Sequence, residues 1–163
     1  MHKTTSAAIA GIAVLAAGAT GAQNGPQKPM TAAWYRVLRK PRYTPPGAAI
    51  GAAWGVLEVL LAVIGFRLLR ARKSAARDVA LGGWLATLVG LAGYPWLFFG
   101  RKELGASTLA SGAMLASAAT LAGAAREAAP PAAAMTLPLL VWLGFATFLG
   151  EELWRRNKGL SRF

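Results

Sequence analysis

The sequence has no cysteine and a single histidine, His2. Without cysteine there are neither disulfides nor thiolate metal sites. One histidine excludes two-histidine zinc motifs such as H-E-x-x-H and disfavours a buried haem held by histidine or cysteine. No Walker-type Gly-Lys-Ser/Thr loop is present. Serines occur, but no buried histidine could activate one as a nucleophile. Hydrolase and metalloenzyme chemistry therefore fits poorly, no cofactor is expected, and a non-enzymatic role is favoured. Acidic residues are also scarce. Glu58, Asp78, Glu103, Glu127, Glu151 and Glu152 are the whole set, against 18 Lys and Arg, for a formal net charge of +12. The excess does not suggest nucleic acid, because the basic residues gather at segment ends rather than along one face with interleaved aromatics. Lipid phosphates at a bilayer surface explain that placement better.

What the chain has in quantity is uncharged sequence. Thr4 to Gln27, Val79 to Gly100, Leu104 to Ala125 and Ala128 to Gly150 contain no Asp, Glu, Lys or Arg. A spanning helix needs roughly 20 apolar residues, and a charge at its centre costs several kcal/mol. A soluble helix needs a polar face instead, so an Ala-rich soluble bundle is disfavoured. The expected fold is all-α, a five-transmembrane-helix bundle forming a single integral membrane domain over residues 1–163. Its helices are expected at about 6–21, 47–69, 79–99, 104–125 and 132–155. Segment 6–21 also has the form of a signal peptide, with His2 and Lys3 before an apolar run and Thr20-Gly21-Ala22 as a cleavage site. Residues 23–46 are expected to form a polar interfacial loop, with Pro45-Pro46 introducing the second helix. Asp78 is the expected N-cap of the third helix, Pro95 a kink near its end, and Arg126 to Pro131 the break before the fifth. The first loop, Arg101, Lys102 and the tail to Arg162 carry eleven basic residues, and the opposite side seven. The positive-inside rule then places the first loop and the C-terminus in the cytoplasm.

Glu58 is the one ionisable side chain well inside an expected span, and such a residue is a functional candidate by default. It pairs with Arg67 or a polar group on another helix, or it stays neutral. A small transporter or proton-linked permeation protein built around Glu58 is one function compatible with it. Trp54, four residues earlier, shares its helix face. Inward aromatics such as Trp54, Tyr94 and Trp142 would wall a flat apolar pocket. Gly47, Gly51 and Gly55, and likewise Gly82, Ala86 and Gly90, repeat at the spacing that lets helices approach closely, within the chain or in a homodimer.

Together the motifs resemble a known family. Trp34-Tyr35, Leu38, Lys40-Pro41, Thr44-Pro45-Pro46-Gly47, Gly51, Trp54 and Leu57 are similar to the hallmark of the TspO/MBR family of translocator and tryptophan-rich sensory proteins. Trp96-Leu97-Phe98-Phe99-Gly100 resembles its third helix end, and Pro138, Trp142, Phe145-Ala146-Thr147, Leu149, Trp154 and Asn157 its fifth helix. The resemblance implies five helices with the first retained, often a homodimer, and a pocket between the helices capped by loop 23–46. It implies a porphyrin-like ligand, a tetrapyrrole such as protoporphyrin IX or haem, in a sensing, regulatory or transport role. Matching pocket positions are Trp34, Tyr35, Trp54, Trp142 and Ala146, beside Glu58 and Tyr94, with Lys28, Arg36 or Arg39 to meet propionates. It also implies, for some members, light-dependent breakdown of porphyrin by a tryptophan pair that Trp54 and Trp142 match. Leu91 and Gly150 stand where the family usually has Asn, Glu151 where it has an aromatic, and Glu58 where it has a neutral residue. A structural membrane protein with a degenerate pocket is the alternative these departures raise.

Overall fold

The computed structural model describes residues 2–160, and Arg162 of the basic tail lies outside the described residues. The chain is all-helical there, with α1 (Lys3–Ala22), α2 (Pro29–Val37), α3 (Gly47–Arg70), α4 (Ala75–Pro95), a π-helical turn (Trp96–Arg101), α5 (Leu104–Ala128), α6 (Pro130–Met135) and α7 (Leu137–Arg156). Five segments are long and apolar enough to cross a bilayer: α1, α3, α4 with its π-turn, α5, and α6 with α7. The outward side chains of these segments are apolar, among them Ile12, Val56, Val89, Leu109 and Val141. Water would not tolerate such a mantle, whereas lipid requires it.

α4 and α5 form the main internal interface, α7 packs on α5, and α1 lies against α3 and α4. Leu61, Ile64, Leu68, Trp84, Leu121 and Leu143 are buried in one core that joins these helices. Trp84 ties α4 to α3, its Nε1–H donating to the Leu61 carbonyl at 2.9 Å. Its ring lies so close to Gly65 that a Cβ there would collide with the indole. Of the two expected stripes, the α3 glycines make no close approach, and in the α4 stripe Gly90 does while Gly82 does not. Gly55 and Gly82 have no neighbour against them, while Gly83 meets the α5 backbone at Ser117 and Leu121, and Gly90 meets Met114.

Several boundaries differ from the sequence expectation. Ser74, not Asp78, caps α4, its Oγ accepting from the Arg77 N–H at 3.1 Å. The shorter hydroxyl residue stands just before the first helical residue, whereas Asp78 falls in the first turn, where its carboxylate favours the helix dipole. Pro95 is followed by a wide turn, since it cannot donate a backbone hydrogen bond and the next residues close i→i+5 rings. Arg126 and Glu127 remain helical, and the break falls at Ala129, with Pro130 and Pro131 opening α6 where a missing N–H is harmless. Residues 23–46 are not simply a loop, because α2 occupies their middle.

Candidate functional site

α2 forms because Pro29 stands at its first turn and its end is capped by a cation. The Lys40 ammonium donates to the Arg36 carbonyl at 3.3 Å and the Leu38 carbonyl at 3.4 Å. It also sits over the Tyr35 ring, 4.5 Å from the centroid. Partial burial lowers the Lys40 pKa from its usual value and raises that of the Tyr35 phenol. The next residues form a turn in which Thr44 N–H and Oγ1–H both donate to the Pro41 carbonyl. Two contacts then fasten this segment to α7. Tyr43 stacks on Phe148 at 5.8 Å between ring centroids, and the Asn157 carboxamide bonds the Arg39 backbone.

The lid is held at its other side by the π-turn. Trp34 meets Phe98 edge to face at 5.7 Å, and Tyr35 meets Phe99 at 5.8 Å. Lys102, in the left-handed region at φ 60°, ends the turn and places its ammonium 5.8 Å from the Trp34 ring. Arg101 pairs with Glu103 at 2.8 Å and lies over Trp96.

Beneath the lid, between α1, α3, α4, α5 and α7, lies a cavity of about 420 Å³. Small-molecule sites commonly measure roughly 300–1,000 Å³ and are mostly apolar. Its aromatic wall comprises Tyr35, Trp54, Tyr94, Phe98, Phe99, Trp142 and Phe145. Trp54 and Trp142 meet edge to face, 6.4 Å between centroids and 85° between planes. Gly51 and Ala146 keep the space open, and Glu58 faces it from halfway along α3.

Of the residues singled out from sequence, Tyr35, Trp54, Glu58, Tyr94, Trp142 and Ala146 line the cavity together. Trp34 does not; it braces the lid from outside, because its neighbour Tyr35 takes the inward face of α2. Lys28, Arg36 and Arg39 are also outside the lining. Glu58 does not pair with Arg67. Nine residues at about 100° each put the two on opposite faces of α3. Glu58 instead rests against α1, where a Cβ on Gly18 would stand 2.9 Å from its Oε1. The lining residues not anticipated are chiefly Phe98, Phe99, Phe145 and Met114. Leu91 and Gly150, the two departures from Asn, line the cavity as well.

The polar groups of the cavity are few. Ser111 Oγ is engaged with Thr147 Oγ1 at 2.9 Å. Trp142 Nε1 is buried without a hydrogen-bond partner. Among the described residues no group of three or more His, Cys, Asp or Glu is placed to hold a metal ion. The arrangement suits retention of a flat apolar molecule with few polar atoms.

Comparison with known proteins supplies names. The family model described as TspO/MBR family matches residues 8–155. The Translocator protein of Ovis aries is 32% identical over 131 residues, covering 77% of this chain and 76% of its own. The Translocator protein of Homo sapiens is 30% identical over 132 residues, with the same coverage of 77% and 76%. Protein CrtK of Rhodobacter capsulatus is 26% identical over 149 residues, 91% of this chain and 90% of that one.

Proposed function

The chain belongs to the TspO/MBR family, and on that premise we propose that this multi-pass membrane protein binds a flat apolar ligand, a tetrapyrrole in the first instance, between its helices. Its role would be sensing, regulation or transport. The observation that carries this reading is the aromatic cavity of about 420 Å³, to which α2 contributes Tyr35. Stacking on Trp54, Tyr94, Phe98 and Trp142 would supply affinity for a macrocycle. The propionates of protoporphyrin IX would lie at the lid margin, within reach of the basic residues Lys28, Arg36 and Arg39 outside the lining. The test is a dark titration of purified protein with protoporphyrin IX, followed by porphyrin absorbance. Saturable micromolar binding that weakens in Trp54→Phe and Trp142→Phe is expected. Absence of saturation, or a double variant that binds like the parent, removes tetrapyrrole from the reading.

The edge-to-face indole pair favours a second reading, light-driven oxidation of bound porphyrin with dioxygen as oxidant. It requires product that forms only in light and disappears without Trp54 or Trp142. We also assign the lid and the C-terminus to the cytoplasmic side on the eleven-to-seven basic residue balance. The uncovered small residue Gly55 of α3 is where a second copy would approach closely in a homodimer.

A further inference from the structure

The cavity's polar inventory is one-sided. Its lining includes one carboxyl, Glu58, and no Lys, Arg or His. Among the described residues Glu58 takes part in none of the ion pairs, which join Arg77 to Asp78, Arg101 to Glu103, and Arg155 and Arg156 to Glu152. No hydrogen bond among the described residues engages it either. Yet the fold makes room for it. Gly18 leaves a notch on α1 that the carboxyl group fills, and even a methyl there would lie 2.9 Å from Oε1 and 3.0 Å from Oε2. An acceptor is thus held in a defined place, in apolar surroundings, with no donor bonded to it among the described residues.

Such a group discriminates between ligands by charge. In a low-dielectric cavity, a second carboxylate beside Glu58 is repelled, and an unpaired charge is costly. A nitrogen carrying a proton gains a charge-assisted hydrogen bond there. We propose that Glu58, seated against Gly18, makes this cavity selective for flat apolar ligands that bear a basic nitrogen, and unfavourable for ligands whose carboxylates enter it. The nitrogen either brings its proton or takes the proton of the Glu58 carboxyl. Both routes end in one ammonium and one carboxylate. This deepens the ligand-binding reading above and rests on the cavity being a ligand site.

The test uses the full chain in phosphatidylcholine nanodiscs, which carry no net lipid charge. Three probes share one tricyclic aromatic scaffold and differ only in a side chain ending in dimethylamine, methyl or carboxylate. Protoporphyrin IX is titrated alongside. The amine is expected to bind about 10- to 100-fold more tightly than the methyl compound, and the carboxylate most weakly. Glu58→Gln should erase the amine preference, so that the amine binds no more tightly than the methyl compound does to the same variant. Gly18→Ala, which keeps Glu58 but displaces its carboxyl, should reduce the preference too, and it stands in if Glu58→Gln does not fold. Equal binding of the three probes, or a preference that survives Glu58→Gln, overturns the proposal and leaves the cavity a ligand site. Porphyrin binding with no tricyclic binding also overturns it alone. Failure of every probe overturns both the selectivity and the ligand site.

Discussion

The side chain of Asn157 clasps the backbone of Arg39, its Oδ1 accepting from the Arg39 N–H at 2.8 Å and its Nδ2 donating to the Arg39 carbonyl at 3.1 Å. The two residues are 118 positions apart in sequence. Asn157 also donates to the Leu153 carbonyl at 2.8 Å and is only 3% exposed. A carboxamide offers both a donor and an acceptor in one plane, so it can satisfy a peptide unit from both sides. Through this pair the end of α7 fixes where the lid re-enters the bundle.

Asn157→Ala should therefore loosen the lid more than the bundle. Loss of the Arg39 contacts leaves part-buried backbone groups unsatisfied, at a cost of about 1–3 kcal/mol. Hydrogen exchange of the amides in residues 23–46 should accelerate, while those of α4 and α5 keep their protection. Uniform acceleration across all five spans would show that the clasp supports the whole fold rather than the lid.

Much of this architecture is visible in the sequence, and the reasons for the gaps are local. The uncharged runs mark the spans because lipid forbids charge at depth. α2 escapes notice because nine residues with a proline at the start give too short a periodic pattern for a helix on its own. Its stability comes from Tyr35 and Trp34 against Phe98 and Phe99, contacts that exist only after α4 has folded. Those two phenylalanines are missed for the same reason. The π-turn after Pro95 shifts them off the α-helical register, so spacing from Tyr94 does not report where they point. Trp54, Glu58, Trp142 and Ala146 were easier, since each lies in an uninterrupted helix with a regular repeat. The resemblance drew attention to Trp34 and Tyr35 together, but adjacent residues on a helix face different ways, and only Tyr35 reaches the cavity.

Trp84 should be the most sensitive aromatic for stability, though it touches no cavity surface. Truncation to Ala removes a 2%-exposed indole from the α3–α4 interface, with an expected cost of about 3–5 kcal/mol. Trp84→Phe keeps most of the volume and loses the bond to Leu61, so about 1–2 kcal/mol is expected. Thermal unfolding in detergent should rank the parent above Phe and Phe above Ala. Gly65→Ala should fall between, because its methyl would collide with the indole. A neutral Gly65→Ala would mean that the ring can shift without loss.

Trp142 should behave oppositely. Its Nε1–H is buried without a partner, so removing that donor relieves a penalty rather than breaking a bond. Trp142→Phe should leave thermal stability within about 1 kcal/mol of the parent while weakening ligand binding. A comparable loss of stability and binding would make Trp142 a packing residue first.

Orientation can be checked with an advantage the sequence itself provides. Because the chain has no cysteine, each introduced thiol is the only one to label. Lys73 lies between α3 and α4, and Lys158 just beyond α7, on opposite ends of the bundle. Both are exposed, so neither substitution disturbs packing. In right-side-out vesicles a membrane-impermeant maleimide should label Lys73→Cys, and Lys158→Cys only after permeabilisation. This follows if the eleven basic residues on the lid and C-terminal side hold that side in the cytoplasm. The reverse pattern would put the lid, and with it the mouth of the cavity, on the outer face. A ligand would then be captured from outside the cell, and the basic balance would have been outweighed by insertion of α1. Equal labelling of both positions without permeabilisation would instead be incompatible with an odd number of spans between them, and with the five-span topology itself.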